Sequence, residues 1–445
     1  MKKLLVAASL VVAAVGNANA QQCAHTDLLN NKLANDPTFL PKYEQFKKDV
    51  NEQVAAYDQV IANTAQKTTA TPMIPVVFHV VLTQAEINQV GGVEGLYKRA
   101  TLQLDALNRD FNGQNPDSTK MHTAFKSRFG HANVYFTLPH RKPDGKGTLG
   151  VEVKVAPVGF GGYGKQTDSM KDVVAGGLDP WDPEKYLNVW IVNINYPGLM
   201  GWGYSPNYAS LLGIAQFQGI VIDYQVFGQK KSPSVGAYVT GADSGRTLVH
   251  EMGHFFNLWH IWGNTNVGSG QCGDDDEVGD TPEQSDANQN CSFPTVIANC
   301  VNSPQTGGEM YMNYMDYTGD KCTVMFTKGQ VTRMLAQIAP GGPSVGLTQH
   351  PEVLQWPTGV DDIAQTTTVE IFPNPTNGLA TISFSNTQTL KSIHVINMMG
   401  QSIKQINSEN GKTIYTFDLS GLPAGVYSVQ SQFEEGTVTS KIVLQ

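Results

Sequence analysis

Charge is scarce in this sequence: 16% of its 445 residues are Asp, Glu, Lys or Arg, against about 25% in an average soluble protein. Basic residues are the scarcer sign, 30 against 39 acidic, for a formal net charge of -9. Without a basic excess the chain offers no broad face for a phosphate backbone, so nucleic acid is not an expected partner. Long apolar runs are missing as well. The stretch 4–15 falls short of the about 20 residues a membrane span needs, no other segment approaches that length, and no transmembrane segment is expected. Cysteines number five: Cys272, Cys291, Cys300 and Cys322 cluster, and Cys23 stands alone. What is present is core material, 40% hydrophobic and 9% aromatic residues, which excludes a largely disordered chain. The length implies two globular units plus accessory segments.

The N-terminus reads as an export signal: Lys2 and Lys3, the apolar stretch, then Ala18-Asn19-Ala20 as an A-x-A cleavage site. Cleavage is expected after Ala20, which makes residues 1–20 the signal peptide. Gln21 and Gln22 stand where a lipid-anchoring signal would place small residues before Cys23, which argues against a lipid anchor. Disulfides persist outside the cytoplasm, so the four clustered cysteines are expected to form two bridges and leave Cys23 a free thiol. Sequence alone leaves all three pairings of the four open.

Residues 21–70 are polar, hold helix-forming stretches such as 43–61, and are expected to be a removable prosegment. The run 73–82 (MIPVVFHVVL) is rich in β-branched residues and reads as a buried strand opening a domain over 71–340. A helical period follows at 95–111, strand candidates at 185–194 and 219–226, and a helix at 247–258. Together they predict a mixed α/β (α+β) core. Between 263 and 327 the periodicity fades and Gly, Asp, Asn and Cys dominate, predicting an irregular C-terminal subdomain stapled by disulfides. Pro343, Pro351 and Pro357 mark 341–367 as a linker. Residues 368–445 hold short alternating segments split by Asn, Gly and Pro turns, the pattern of a small all-β immunoglobulin-like sandwich.

The segment TLVHEMGH (247–254) sets His250 and His254 one helical turn apart, so both rings project from one face with Glu251 beside the first. A catalytic zinc uses three protein ligands and leaves one position for water. His260 is the expected third ligand, provided the helix ends before it. Asn257 supplies that break, since Asn is the residue after Gly best suited to positive φ. Glu251 can then reach the water without binding the metal and act as general base. The bland reading makes these histidines satisfied polar groups on a half-buried helix. Three imidazoles and a carboxylate on an apolar segment are costly to bury without a ligand. His79, His131 and His140 are assigned no role. The competing function is a secreted adhesin or binding protein with structural zinc, which needs a fourth protein ligand; none stands at obvious spacing nearby.

With HEMGHFFNLWH (250–260) and NYMDY (313–317), the sequence resembles the metzincin zinc peptidases, in which a methionine turn runs beneath the zinc histidines. Asn257 replaces the glycine at which the metzincin helix ends. Within that group it is most similar to the pappalysin family in its compact bacterial, ulilysin-like and mirolysin-like form. The segments that carry the likeness are IPVVFHVV (74–81), GRTLVHEMGHFFNLWH (245–260), VGDTP (278–282) and NYMDYTGDKC (313–322). The resemblance implies a zinc metalloendopeptidase with Met315 in the turn and Tyr317 stabilising the tetrahedral intermediate. It implies Asp320 in the pocket for the residue after the scissile bond, favouring Arg or Lys there, and bridges Cys272–Cys300 and Cys291–Cys322. It also implies calcium in the acidic run 274–281, held by Asp276, Asp280, Thr281 and the Val278 carbonyl; the bland reading of that run is a solvated loop. A Cys23 thiolate would take the water's place on zinc and keep the chain latent until a cut ahead of residue 73, at Lys67 or an earlier basic residue; the alternative is an incidental thiol near the cleaved N-terminus.

The tail segments IFPNPTNG (371–378), MGQSI (399–403), LSGLPAGVY (419–427) and KIVL (441–444) resemble the sorting domain of type IX secretion cargo. That likeness implies export through periplasm and outer membrane by that machinery, to a secreted or surface-attached state. The alternative for the tail is a carbohydrate-binding or adhesive sandwich.

Overall fold

The computed structural model describes residues 22–63, 71–163, 168–232, 234, 236–263, 272–289, 291, 300, 308–355, 369–384, 390–397, 401–409, 411–433 and 436–445. The expected signal peptide and Lys67 lie outside them. At the centre is a seven-stranded sheet of β1 (Gln22–Cys23), β2 (Met73–Leu82), β3 (Tyr135–Thr137), β4 (Val151–Val155), β5 (Leu187–Val192), β6 (Leu199–Tyr204) and β7 (Gly219–Asp223). The order is β1-β6-β7-β5-β2, with β3 and β4 sharing the far edge of β2. Every pairing is parallel except β6 with β7.

The unbroken apolar run of β2 reflects burial on both faces. Val76, Phe78, Val80 and Leu82 enter one core, while Val81 points into another, as the two-residue period of a strand requires. Among the described residues the helices are α1 (Asp27–Asn35), α2 (Phe39–Asn63), α3 (Gln84–Gln89), α4 (Gly92–Phe111), α5 (Pro206–Leu212), α6 (Arg246–Phe255) and α7 (Lys328–Ile338). Leu96 and Leu107 of α4 and Leu248 and Met252 of α6 fill the first core. Leu29 of α1, Phe39, Tyr43 and Phe46 of α2, and Tyr208 of α5 fill the second. The expected prosegment is therefore folded onto the sheet. The sharpest helix starts are capping boxes, Thr83 with Glu86 for α3 and Thr327 with Gln330 for α7.

Among the described residues no helix or strand lies between α6 and α7, as the fading periodicity predicts. The bridges Cys272–Cys300 and Cys291–Cys322 close that region with Cα separations of 5.7 and 5.6 Å. The expected linker 341–367 is folded in its first part: 3-10 turns at Val345–Thr348 and Pro351–Leu354 bury Leu347 and Val353. The Val353 carbonyl accepts the N–H groups of His140 and Arg141. Pro351 opens the second turn, a position where its missing N–H costs nothing, so this proline marks structure and not free chain.

The tail forms two antiparallel sheets, β11 (Ser402–Asn407)-β10 (Leu390–Ile396)-β13 (Gly425–Phe433)-β14 (Gly436–Leu444) and β12 (Ile414–Asp418)-β9 (Leu379–Phe384)-β8 (Val369–Phe372). Ile382, Ile393, Val429 and Ile442 fill the space between them. Ile414 and the Glu370–Lys142 ion pair seat the tail on the larger domain. Among the described residues no helix is long and apolar enough to cross a membrane.

Candidate metal centre and active site

Helix α6 follows Gly245 (φ 80°) and lies against β6, every residue of it buried. Two glycines of β6 permit the close approach: a Cβ on Gly203 would lie 2.5 Å from the Glu251 carbonyl oxygen, and one on Gly201 3.0 Å from Glu251 Oε1. The helix stops at Phe255. Asn257 takes φ 61° and the Leu258 N–H closes onto Gly253 O at 2.9 Å, a left-handed C-terminal turn. The Asn257 side chain then locks that turn. Its Oδ1 accepts from Ser205 Oγ (2.6 Å), its Nδ2 donates to Asn207 Oδ1 (2.9 Å) and Gln337 Oε1 (2.6 Å), and its carbonyl accepts from Arg333 Nε (2.8 Å).

The turn brings His260 back to the other two histidines. His254 Nε2 lies 3.2 Å from His250 Nε2 and 3.1 Å from His260 Nε2. His250 Nδ1 donates to Tyr314 O (2.7 Å) and His254 Nδ1 to Leu258 O (2.9 Å), which turns their Nε2 lone pairs inward. Burial pushes all three imidazoles down, His250 to about 4, so the neutral form is held. Tetrahedral zinc with nitrogen ligands at about 2.0–2.1 Å sets those nitrogens about 3.3 Å apart, close to the spacing seen. The residues therefore fit zinc.

Met315 runs beneath the helix: a Cβ on Gly253 would meet its Sδ at 2.4 Å, so the glycine inside the motif makes room for the sulfur. The next residue, Asp316, ties this turn to the irregular region. Its buried carboxylate accepts the N–H groups of Tyr317 (2.7 Å) and Asn288 (2.8 Å) and the side-chain amides of Asn288 (2.9 Å) and Gln284 (3.0 Å). That role was not foreseen from sequence, since it depends on contacts 28 to 32 residues apart across chain with no period.

Cys23 reaches the centre by pairing β1 with the edge of β6. Its thiol donates to Glu251 Oε2 at 3.2 Å, and its sulfur and the three histidine nitrogens lie within 4.8 Å of one another. Burial, then the Glu251 charge, pushes the thiol up, and burial pushes Glu251 to about 8. A bound cation reverses the first preference, because a coordinating thiol loses its proton. The Tyr317 hydroxyl accepts the Cys23 N–H (3.1 Å) and donates to the Cys23 carbonyl (3.2 Å). Sequence reasoning missed two flanking rings. His25 stacks on His254 with centroids 4.0 Å apart and bonds Gly203 O at 2.6 Å, and Trp262 stacks on His260 at 4.5 Å. His25 stands two residues from Cys23, which was the available signal.

Asp320 is buried beside the helix start, with Oδ2 accepting the Ser244 N–H (2.6 Å) and Oδ1 without a hydrogen-bond partner among the described residues. Burial raises its carboxyl to about 7, against the Ser244 N–H and Arg246. In the acidic run, Thr281 Oγ lies 2.6 Å from both Asp276 Oδ1 and the Val278 carbonyl. Asp276 Oδ2 is buried without a partner among the described residues, and burial pushes that carboxyl to about 8. An orphaned carboxyl oxygen beside a carbonyl and a hydroxyl fits a hard cation, whose charge would draw off the proton that burial favours. Asp280, the fourth expected ligand, accepts the Thr327 hydroxyl (2.6 Å) and the Gly329 N–H (3.0 Å) at the start of α7.

Residues 168–339 match the family described as pregnancy-associated plasma protein-A, and 370–445 match the secretion system C-terminal sorting domain. Mature mirolysin of Tannerella forsythia, solved in complex with a cleaved peptide, is 32% identical, with a TM-score of 0.56 over 64% of this chain and 99% of its own. The chain belongs to the pappalysin family. Coverage of this pappalysin rises to 75%, with 100% of the other chain, 29% identity and a TM-score of 0.62, for a promirolysin variant of the same organism. An extracellular metalloprotease of Arthroderma gypseum is 36% identical over 174 residues, 38% of this chain and 52% of that one. This pappalysin thus spans about half the length of the curated relatives it matches. Its sorting domain makes it a type IX secretion cargo, secreted or held at the cell surface.

Proposed function

We propose that this chain is a zinc-dependent endopeptidase, made latent by Cys23, that hydrolyses peptide bonds on the N-terminal side of Arg or Lys. One observation carries the reading: His250, His254, His260, Glu251 and the Cys23 sulfur meet in one buried cluster. Zinc held by the three imidazoles would supply a polarised water and a polarised scissile carbonyl. Glu251 accepts the water's proton and returns it to the leaving amine; its Oε1 is buried and has no other hydrogen-bond partner. The Tyr317 hydroxyl, engaged by Cys23 in the precursor, donates to the developing oxyanion once that segment leaves.

The same contacts support latency, because a Cys23 sulfur within 4.8 Å of the three histidine nitrogens would take the position left for the attacking water. The β1–β6 pairing supports a substrate mode in which a peptide adds to the edge of β6. The unpaired Asp320 oxygen supports recognition of a basic side chain. Calcium belongs on Asp276, Asp280, Thr281 and the Val278 carbonyl, a set supported by the Asp276 oxygen left without a partner among the described residues. Two tail sheets of four and three strands agree with an immunoglobulin-like sandwich read by the outer-membrane secretion machinery.

A second reading has one observation in its favour: Cys23 is a fourth protein donor, as a structural zinc would need. Incubating the processed protein and its Glu251→Ala variant with a proteome-derived peptide library separates the two. New termini from the parent alone support the peptidase. Equal cutting by both removes Glu251 from the mechanism, and no cutting by either favours structural zinc. Cuts without Arg or Lys on their C-terminal side reject only the role of Asp320.

A further inference from the structure

The pocket carboxylate sits next to a cation that ought to neutralise it. Arg246, the first residue of α6, is 4% exposed at its side chain and donates from Nη1 to the Asp320 main-chain carbonyl. The segment before it holds Asp320 as well: Asp320 N–H donates to Gly241 O (2.9 Å) and Ser244 N–H to Asp320 Oδ2 (2.6 Å). Arg246 nevertheless makes no bond to the Asp320 carboxylate among the contacts of the described residues. Its fork is filled elsewhere. Nη1 and Nη2 each donate to one oxygen of Asp117 at 2.7 Å, and Nε donates to Asp110 Oδ2 at 3.1 Å. Asp110 is shared with Arg109, whose Nε lies 2.7 Å from Asp110 Oδ1.

We infer that Asp117, with Asp110 behind it, is a specificity-setting residue: it keeps the Arg246 guanidinium from bonding the Asp320 carboxylate and so leaves Asp320 Oδ1 open to a basic substrate side chain. The charges support this. Asp110 and Asp117 pair with the guanidiniums of Arg109 and Arg246, and of the three carboxylates only Asp320 keeps an oxygen unpartnered among the described residues. A bidentate carboxylate–arginine pair is the strongest arrangement Arg246 can make. If that pair is broken, Asp320, whose main-chain carbonyl Arg246 already holds, offers Oδ1 without a partner among the described residues, and Arg246 would turn to it in place of the substrate. Asp117 lies on the 3-10 turn Pro116–Lys120 and is a quarter exposed, and Asn115 Nδ2 donates to it at 3.0 Å. It can therefore change without opening the core.

The inference rests on Asp320 as the pocket residue. Its test uses the full chain processed to its active form and two peptides that differ only in Arg or citrulline after the scissile bond. The readout is the ratio of their kcat/KM values. Asp117→Asn should lower that ratio by about tenfold through the Arg peptide alone, with the citrulline value preserved, and Asp117→Glu should restore part of it. An unchanged ratio, or a parallel loss for both peptides, overturns the inference. Asp320→Asn is the separating control: it should abolish the ratio, and if it does not, the pocket reading itself is wrong. Should Asp117→Asn not accumulate as folded protein, Arg246→Lys carries the test, since an ammonium cannot span both Asp117 oxygens. The same fall is expected from it, and an unchanged ratio again overturns the inference.

Discussion

Replacing Asn257 by glycine should weaken the fold, although glycine suits the φ of 61° better and stands at this place in the general metzincin motif. The side chain makes three hydrogen bonds, to Ser205, Asn207 and Gln337, at 2.6 to 2.9 Å. Each contributes about 1 kcal/mol net, more where a buried partner is left unsatisfied, as Gln337 would be. Against that loss of about 3 kcal/mol, glycine relieves at most about 1 kcal/mol of left-handed strain, since Asn tolerates that region well. The balance is about 2 kcal/mol lost. Asn257→Ala adds the strain to the lost bonds and should cost about 1 kcal/mol more. Trp181, Trp190, Trp202, Trp259 and Trp262 all lie in this domain, so fluorescence during guanidinium unfolding reports on it. The expected result is a lower midpoint for both variants at unchanged slope, with alanine below glycine. If the glycine variant matches or exceeds the parent, the polar lock contributes nothing and the account of how His260 is placed fails.

Further outcomes follow from the same contacts. Cys23→Ala should make the precursor convert itself faster than the parent in a gel time course, and equal latency would refute the thiol's role. Burial raises Asp320 to about 7; below that it is neutral and above it anionic. Preference for Arg over citrulline should therefore increase from pH 6 to pH 8, and a flat profile would count against a charge-based pocket. Calcium at 100 times its dissociation constant should stabilise the parent by about 2.7 kcal/mol. Asp276→Asn should lose that response and exceed the parent in a chelator, where the orphaned carboxylate is a burden; a retained response would remove Asp276 from the site.

Local periodicity carried much of the architecture. β2 spans the same residues as its apolar run, and the histidine helix was legible because its ligands repeat at one turn. The break at Asn257 was legible because few residues accept positive φ. What could not be read was long-range: β1 has two residues and no period, and its bond to Glu251 spans 228 positions. Nor could the hold of Asp280 on the cap of α7, 47 positions away, be read from its surroundings in the chain. The first part of the expected linker looked open because prolines break elements, and the burial of Leu347 and Val353 depends on neighbours far back in the chain. Arg246 and Asp117 form a pair across 129 positions that no motif announces.

The central claim is a zinc held by three imidazoles and capped by the Cys23 sulfur. X-ray absorption at the zinc edge, on the precursor and on the processed protein, tests it directly. The precursor should show three nitrogen ligands at about 2.0–2.1 Å and one sulfur at about 2.3 Å, and processing should replace the sulfur with a light atom. A precursor without a sulfur ligand, or a processed protein that keeps one, would contradict it.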